Sequence, residues 1–197
     1  MNTKSRVAGV FIGLAVGDAM GAPIEKKEVG SFDLVSEMQG GGIYDLPAGA
    51  WTDETATALC LAQSLLVTND LDVYDLAERF KRWVQNGENS STGVCVGIEQ
   101  KLLNFVVNYE RTGNFDPKLL NQKVRGNSVL ARVGPVACIH WDDLEMATKI
   151  ACQQSYLTHS SEIVAAASEY LVLALSHLIA GRDWDFICNM HIKEDWP

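Results

Sequence analysis

Positive charge is scarce in this chain. Sixteen Lys and Arg stand against 25 Asp and Glu, a formal net charge of −9. That balance argues against a sequence-independent grip on nucleic acid, which needs a basic surface to displace counterions from phosphates. It leaves room for one nucleotide in a local pocket. Cysteines are few and unpaired: Cys60, Cys95, Cys138, Cys152 and Cys188 form no C-x-x-C pair, and four of the five sit in apolar runs. They read as reduced thiols, which sets the expectation of a cytoplasmic protein. Alternating strand patterns, repeats and low-complexity tracts are also missing, which argues against β-rich and solenoid architectures. Lys4 and Arg6 precede AGVFIGLAVGDAMGA in the manner of a signal peptide, but Asp18 and four glycines interrupt that run. No other stretch approaches the ~18 continuous apolar residues of a membrane span, so no membrane partner is expected.

What is present is a well-populated core. Apolar residues make up 47% of the 197 residues and charged residues 21%, with a mean hydropathy of +0.01. This suits one buried domain over 1–197, with an apolar surplus that points to a helical core or an interface. Helical periodicity recurs throughout, so the expected class is all-α. Helices are predicted over residues 5–20, 54–68, 73–86, 94–109, 129–139, 142–153 and 162–180. The last carries apolar residues on most faces and is expected to be a central buried helix. Gly9, Gly13, Gly17 and Gly21 recur every fourth residue, placing them on one helix face where another backbone could approach closely. Residues 23–49, with Glu25, Gly40, Gly41, Gly42 and Pro47, form a loop too long for a mere connector.

Thr52, Asp53, Glu54 and Thr55 cluster hard oxygen ligands at the start of an apolar helix. Such ligands suit Mg²⁺, Mn²⁺ or Ca²⁺ better than zinc. The same residues also suit a plain helix start, with Thr52 or Asp53 as N-cap and Glu54 complementing the helix dipole.

Two ordered motifs extend this pattern. Gly13-x-x-x-Gly17-Asp18-Ala19-x-Gly21-Ala22-Pro23-x-Glu25 precedes Trp51-Thr52-Asp53-Glu54-Thr55. Downstream lie Arg125-Gly126-Asn127-Ser128-x-x-x-Arg132-Val133-x-Pro135 and Thr158-His159 before an alanine-rich helix. In this order they resemble the ADP-ribosylglycohydrolase family, the type that includes dinitrogenase reductase-activating glycohydrolase.

The resemblance implies a compact orthogonal bundle of helices. It implies a hydrolase removing ADP-ribosyl groups from a modified protein or small molecule, with one or two Mg²⁺ or Mn²⁺ ions. It assigns Thr52, Asp53 and Glu54 as metal ligands, Asp53 and Glu25 as catalytic residues, and Gly126, Asn127, Ser128 and His159 as substrate-binding residues. Glu25 would activate water or act as a gate. Residues 126–128 would approach the diphosphate, and His159 the distal ribose or a phosphate. A metal-polarised water beside a carboxylate, and a Gly-Asn turn facing phosphate, are chemically sensible roles for these types. Taken singly, Ser128 also suits an N-cap, and His159 suits capping of the helix near Ser161.

The chain departs from the pattern in three places. Glu54 stands where the family usually has aspartate, adding a methylene that pushes the carboxylate outward. Ser128 stands where glycine is frequent. The G-G-D-x-D-T-type motif that completes the metal sites has no convincing copy, the nearest being Asp183-Trp184-Asp185. The resemblance thus covers the family's N-terminal two thirds and leaves two other readings open: a non-catalytic binder of ADP-ribose or a nucleotide, or a chain completed by a complementary partner. Apolar faces left uncovered would be closed by self-association, by that partner, or by a rearranged core under the polar tail KEDWP.

Overall fold

The computed structural model describes residues 2–115 and 126–190. Arg125 of the third motif and the KEDWP tail lie outside the described residues. Helices in chain order are α1 (Thr3–Gly21), α2 (Asp53–Thr68), α3 (Val73–Asn86), α4 (Gln100–Thr112), α5 (Val133–His140), α6 (Leu144–Ser155), α7 (Glu162–Ala180) and α8 (Trp184–Cys188). Short 3-10 turns at Ala22–Ile24 and Ser128–Arg132 follow α1 and lead into α5. Among the described residues the class is all-α, as the periodicity predicts. One isolated antiparallel bridge, Gly41 to Leu46, ties the long loop.

Short polar side chains set many of the helix starts. Asn2 accepts from the Ser5 amide, Asp72 from the Tyr74 and Asp75 amides, Asp143 from the Met146 amide and Asp183 from the Phe186 amide. Asn69, Gly87, Gly113 and Gly181 end helices in the left-handed conformation that releases the last carbonyls. Asp183 is therefore the cap of a short helix that the sequence reading missed.

The core is built on α2, α3 and α5. Nine of the sixteen α2 residues are buried, so this helix, rather than α7, is the central one. α7 buries Val164, Ala165, Ser168, Val172, Ala174, Ser176 and Ile179, yet leaves Ile163 46% exposed. α3 presents Leu76, Ala77, Phe80 and Trp83 to the core at helical spacing, and α4 adds Leu102, Phe105 and Val106. α7 packs against α5 and α6, and α1 lies across α2, α5 and α7. The five cysteines are free, but Cys60 alone is fully buried and Cys188 is exposed.

Other expectations shift. The helix predicted from residue 94 begins at Gln100, because Gly93 and Gly97 both take positive φ and keep residues 93–99 in a loop. The helix predicted over 129–139 is a 3-10 turn that relaxes into α5. The glycine face of α1 receives no backbone: a Cβ at Gly9, Gly13, Gly17 or Gly21 would meet nothing within 4 Å. α1 with its following turn, and α7, are each long and apolar enough to cross a bilayer by length and composition. Counting only uninterrupted apolar residues had hidden this, since isolated polar residues punctuate both.

Candidate active site

The N-terminus of α2 is organised from another helix. Thr52 occupies the N-cap position but makes no capping bond with its own side chain. Asp18, in the last turns of α1, does that work. Its carboxylate accepts from the Thr52 amide at 2.9 and 3.1 Å, the Thr52 hydroxyl at 2.6 Å, the Thr55 amide at 3.0 Å and the Thr55 hydroxyl at 2.7 Å. Both threonines are only 4% exposed. The simple N-cap reading of Thr52 is thus corrected. The helix start needed an acceptor, and a neighbouring helix supplied it.

This arrangement crowds carboxylates. The Thr52 hydroxyl also lies 2.9 Å from Glu54 Oε2, so one hydroxyl proton faces two acidic groups. Burial first, then the charge and hydrogen bond of Glu54 and the charge of Asp18, push the Asp53 carboxyl well above the usual carboxylate range. Gly97, with φ of +81°, lies directly on Asp53, and a Cβ there would collide with Asp53 Oδ1. The cluster is short of positive charge, which is the chemistry of a hard-cation site. Yet among the described residues no group of three or more His, Cys, Asp or Glu is arranged to hold a metal ion. Thr52, Asp53 and Glu54 fit part of a coordination shell rather than a complete one.

A groove of about 600 Å³ runs beside this cluster, lined by Gly13, Gly17, Asp18, Glu25, Thr52 and Glu54 among others. Gly13, Gly17 and Gly21 of α1 form part of its wall. Glu25 accepts a hydrogen bond from the Tyr44 hydroxyl at 3.3 Å and pairs with Lys26 at 3.2 Å. Tyr44 is held there by the long loop. Leu46 and Ala50 pack with Ala22 in a small apolar cluster, and Gly42 sits so close to the Ala22–Ile24 turn that a Cβ would strike Ala22 and Pro23 backbone.

The other expected residues form a second cluster. His159 is fully buried. Its Nδ1 lies 2.9 Å from Thr158 Oγ1 and its Nε2 lies 2.9 Å from Lys101 Nζ. Glu99 accepts from Lys101 at 2.7 Å and from the Ser128 hydroxyl through a very short contact. Gly126 lies against both Lys101 Nζ and His159 Nε2, leaving no space for a Cβ. Asn127 contributes its carbonyl to the Leu130 amide. Neither the capping reading of Ser128 nor that of His159 describes these contacts.

His159 Nε2 also lies 3.5 Å from Glu99 Oε1. A bond to Glu99 requires a proton on Nε2, whereas an ammonium can only donate, so the Lys101 contact requires a lone pair there. The shorter contact decides for the lone pair and puts the proton on Nδ1, towards Thr158. Burial acts to raise the Glu99 carboxyl, but the hydrogen bonds from Lys101 and Ser128 outweigh it and hold the group well below the usual carboxylate range.

Arg132 lies behind the second cluster, bonded to it through Thr158. It is 3% exposed, donates to Gln154 Oε1 at 2.9 Å and Thr158 Oγ1 at 3.0 Å, and stacks 5.6 Å over the Phe80 ring. Burial lowers it to about 10, opposed by the charges of Glu99 and Asp53 among others, so it stays a cation at neutral pH. Sequence reasoning gave no site role to Asp18, Arg132, Glu99 or Lys101. Gly93 and Gly97 were the available signal, since two glycines argue against helix before Glu99 and Lys101.

The ADP-ribosylglycohydrolase sequence model matches residues 1–194. This chain belongs to the ADP-ribosylglycohydrolase family. Within the family it is 31% identical over 192 residues to an ADP-ribosylarginine hydrolase Tri1 of Serratia proteamaculans, covering 95% of this chain and 51% of the relative. It is 32% identical to an ADP-ribosyl-[dinitrogen reductase] glycohydrolase of Rhodospirillum rubrum, covering 92% of this chain and 60% of that protein. A solved structure, an ADP-ribosylglycohydrolase-related protein complex, superposes with a TM-score of 0.79 at 32% identity, covering 94% of this chain and 60% of the other. The chain therefore spans about half to three fifths of the length of these family members.

Proposed function

We propose that this chain carries the substrate-binding and part of the metal-binding half of a hydrolase that removes ADP-ribosyl groups from a modified acceptor. The observation that carries the reading is the carboxylate-crowded start of α2 opening onto a groove with Glu25. Thr52, Asp53 and Glu54 would hold a divalent Mg²⁺ or Mn²⁺ ion. When bound, that ion would polarise ribose hydroxyls and lower the pKa of water. Asp18 orients the Thr52 hydroxyl and fixes the helix start beneath it. Glu25, steered by Tyr44, takes the proton of the attacking water as the glycosidic bond opens, and that proton passes to the departing acceptor. Residues 126–128 face the diphosphate. His159, tied to Thr158, would lie beside the distal ribose or a phosphate and hold with its Nε2 the Lys101 ammonium that would meet a phosphate.

An arginine side chain is the first acceptor to test, because the relatives include ADP-ribosylarginine hydrolases. The test is release of ADP-ribose from ADP-ribosylarginine by the chain, with and without Mg²⁺, against Asp53→Asn. Metal-dependent release abolished by the substitution is expected. Saturable ADP-ribose binding without release would replace the hydrolase with a binding protein.

A second reading is that a complementary polypeptide completes the site. The incomplete cation shell favours it, as does the open glycine face of α1, where Ile12 is 62% exposed. Release that appears only when a polypeptide carrying the family's D-x-D-T motif is added would establish it.

A further inference from the structure

We propose that Glu99 is a built-in anion that occupies the phosphate subsite of residues 126–128, so that a diphosphate ligand binds only by expelling it. This rests on the reading of that loop as a diphosphate subsite. The Glu99 carboxylate accepts from the Ser128 hydroxyl and the Lys101 ammonium, with the His159 ring edge beside it. A hydroxyl and an ammonium converging on one point are donors that recognise an oxyanion, and phosphate oxygens accept from them as carboxylate oxygens do.

The local chain does not require this placement. Glu99 is the N-cap residue of α4, yet its side chain makes no capping bond there. Its backbone carbonyl starts the helix by accepting from the Leu103 amide, so the side chain can swing away without unravelling α4. The Lys101 ammonium, in contrast, is anchored on His159 Nε2 at 2.9 Å. His159 is fully buried and tied through Thr158 to Arg132, while the bare Cα of Gly126 lets the loop lie directly against Lys101 and His159. With Glu99 in place the donors are satisfied and the subsite repels a second anion. With Glu99 displaced, the same donors face the ligand.

The test is isothermal titration of the full 197-residue chain with inorganic pyrophosphate, and separately with ADP-ribose, in metal-free buffer at fixed ionic strength. The wild type, Glu99→Gln, Glu99→Ala and the double variant Glu99→Gln with Lys101→Met are compared, with thermal melts to verify folding. Glu99→Gln and Glu99→Ala are both expected to bind pyrophosphate about tenfold or more tightly than the wild type, and Lys101→Met to reverse the gain. Equal or weaker pyrophosphate binding by both Glu99 variants overturns the proposal, as does absence of binding to every form. ADP-ribose separates the two ideas. Gain for pyrophosphate with no ADP-ribose binding sustains the internal anion and defeats the ADP-ribosyl reading. Equal ADP-ribose binding by all forms does the reverse.

Discussion

Asp18 should be worth more to stability than any other surface-reaching carboxylate described here, and Asp18→Ala measures it. The aspartate satisfies four donors: the Thr52 and Thr55 amides and both hydroxyls. Those amides belong to the first turn of α2, where no intrahelical acceptor exists. The hydroxyls can find new partners, as Thr52 already lies 2.9 Å from Glu54 Oε2. The two amides cannot, because their residues are only 4% exposed. Leaving two buried donors without acceptors costs roughly 2–4 kcal/mol. Removing one negative charge from beside Asp53 and Glu54 returns on the order of 1 kcal/mol. The net expectation is a loss of about 1–3 kcal/mol, with Asp18→Asn losing about half as much because its amide oxygen still accepts. Urea unfolding of the three proteins at one pH provides the assay. A loss below about 0.5 kcal/mol for Asp18→Ala, or a larger loss for Asn than for Ala, would refute the tertiary-cap argument.

Three further outcomes are expected. The Glu99 carboxyl is held at about 2 against an unperturbed 4.5, so its stabilising contribution is full above pH 4.5 and disappears as pH falls through 2. His159 offers a lone pair rather than a proton and Glu99 is partly exposed to solvent, so the contribution at neutral pH is about 1–2 kcal/mol. The unfolding free-energy difference between wild type and Glu99→Gln should therefore shrink between pH 5 and pH 2.5, and a pH-independent difference would contradict the ion-pair account. Gly97→Ala should cost about 1–2 kcal/mol from its positive φ alone and displace Asp53, so ADP-ribose release should fall further than thermal stability does; unchanged release would show that the loop does not hold Asp53. Phe80→Ala, emptying the fully buried ring beneath Arg132, should destabilise by about 3–5 kcal/mol in urea unfolding, and a loss under 1 kcal/mol would mean that the core closes over the gap.

Most of the helices, and the family, were legible in the sequence, while α8 and the start of α4 were not. Helical spacing in Leu76, Ala77, Phe80 and Trp83, aspartates before helices and glycines after them act over a few residues, so they are visible in one dimension. The ordered motifs around Asp18, Thr52, Asn127 and His159 were likewise legible, because motif order survives without coordinates. Only the tertiary structure decided what those residues touch. No local pattern reveals that Asp18 caps a helix 34 residues away, that Glu99 and Lys101 meet His159 across 58 residues or more, or that the α1 glycines border a groove rather than a helix contact. Hydrogen-bond satisfaction and charge crowding act through space between segments that folding brings together. The chemistry of this site accordingly lies in contacts between helices rather than within any one of them.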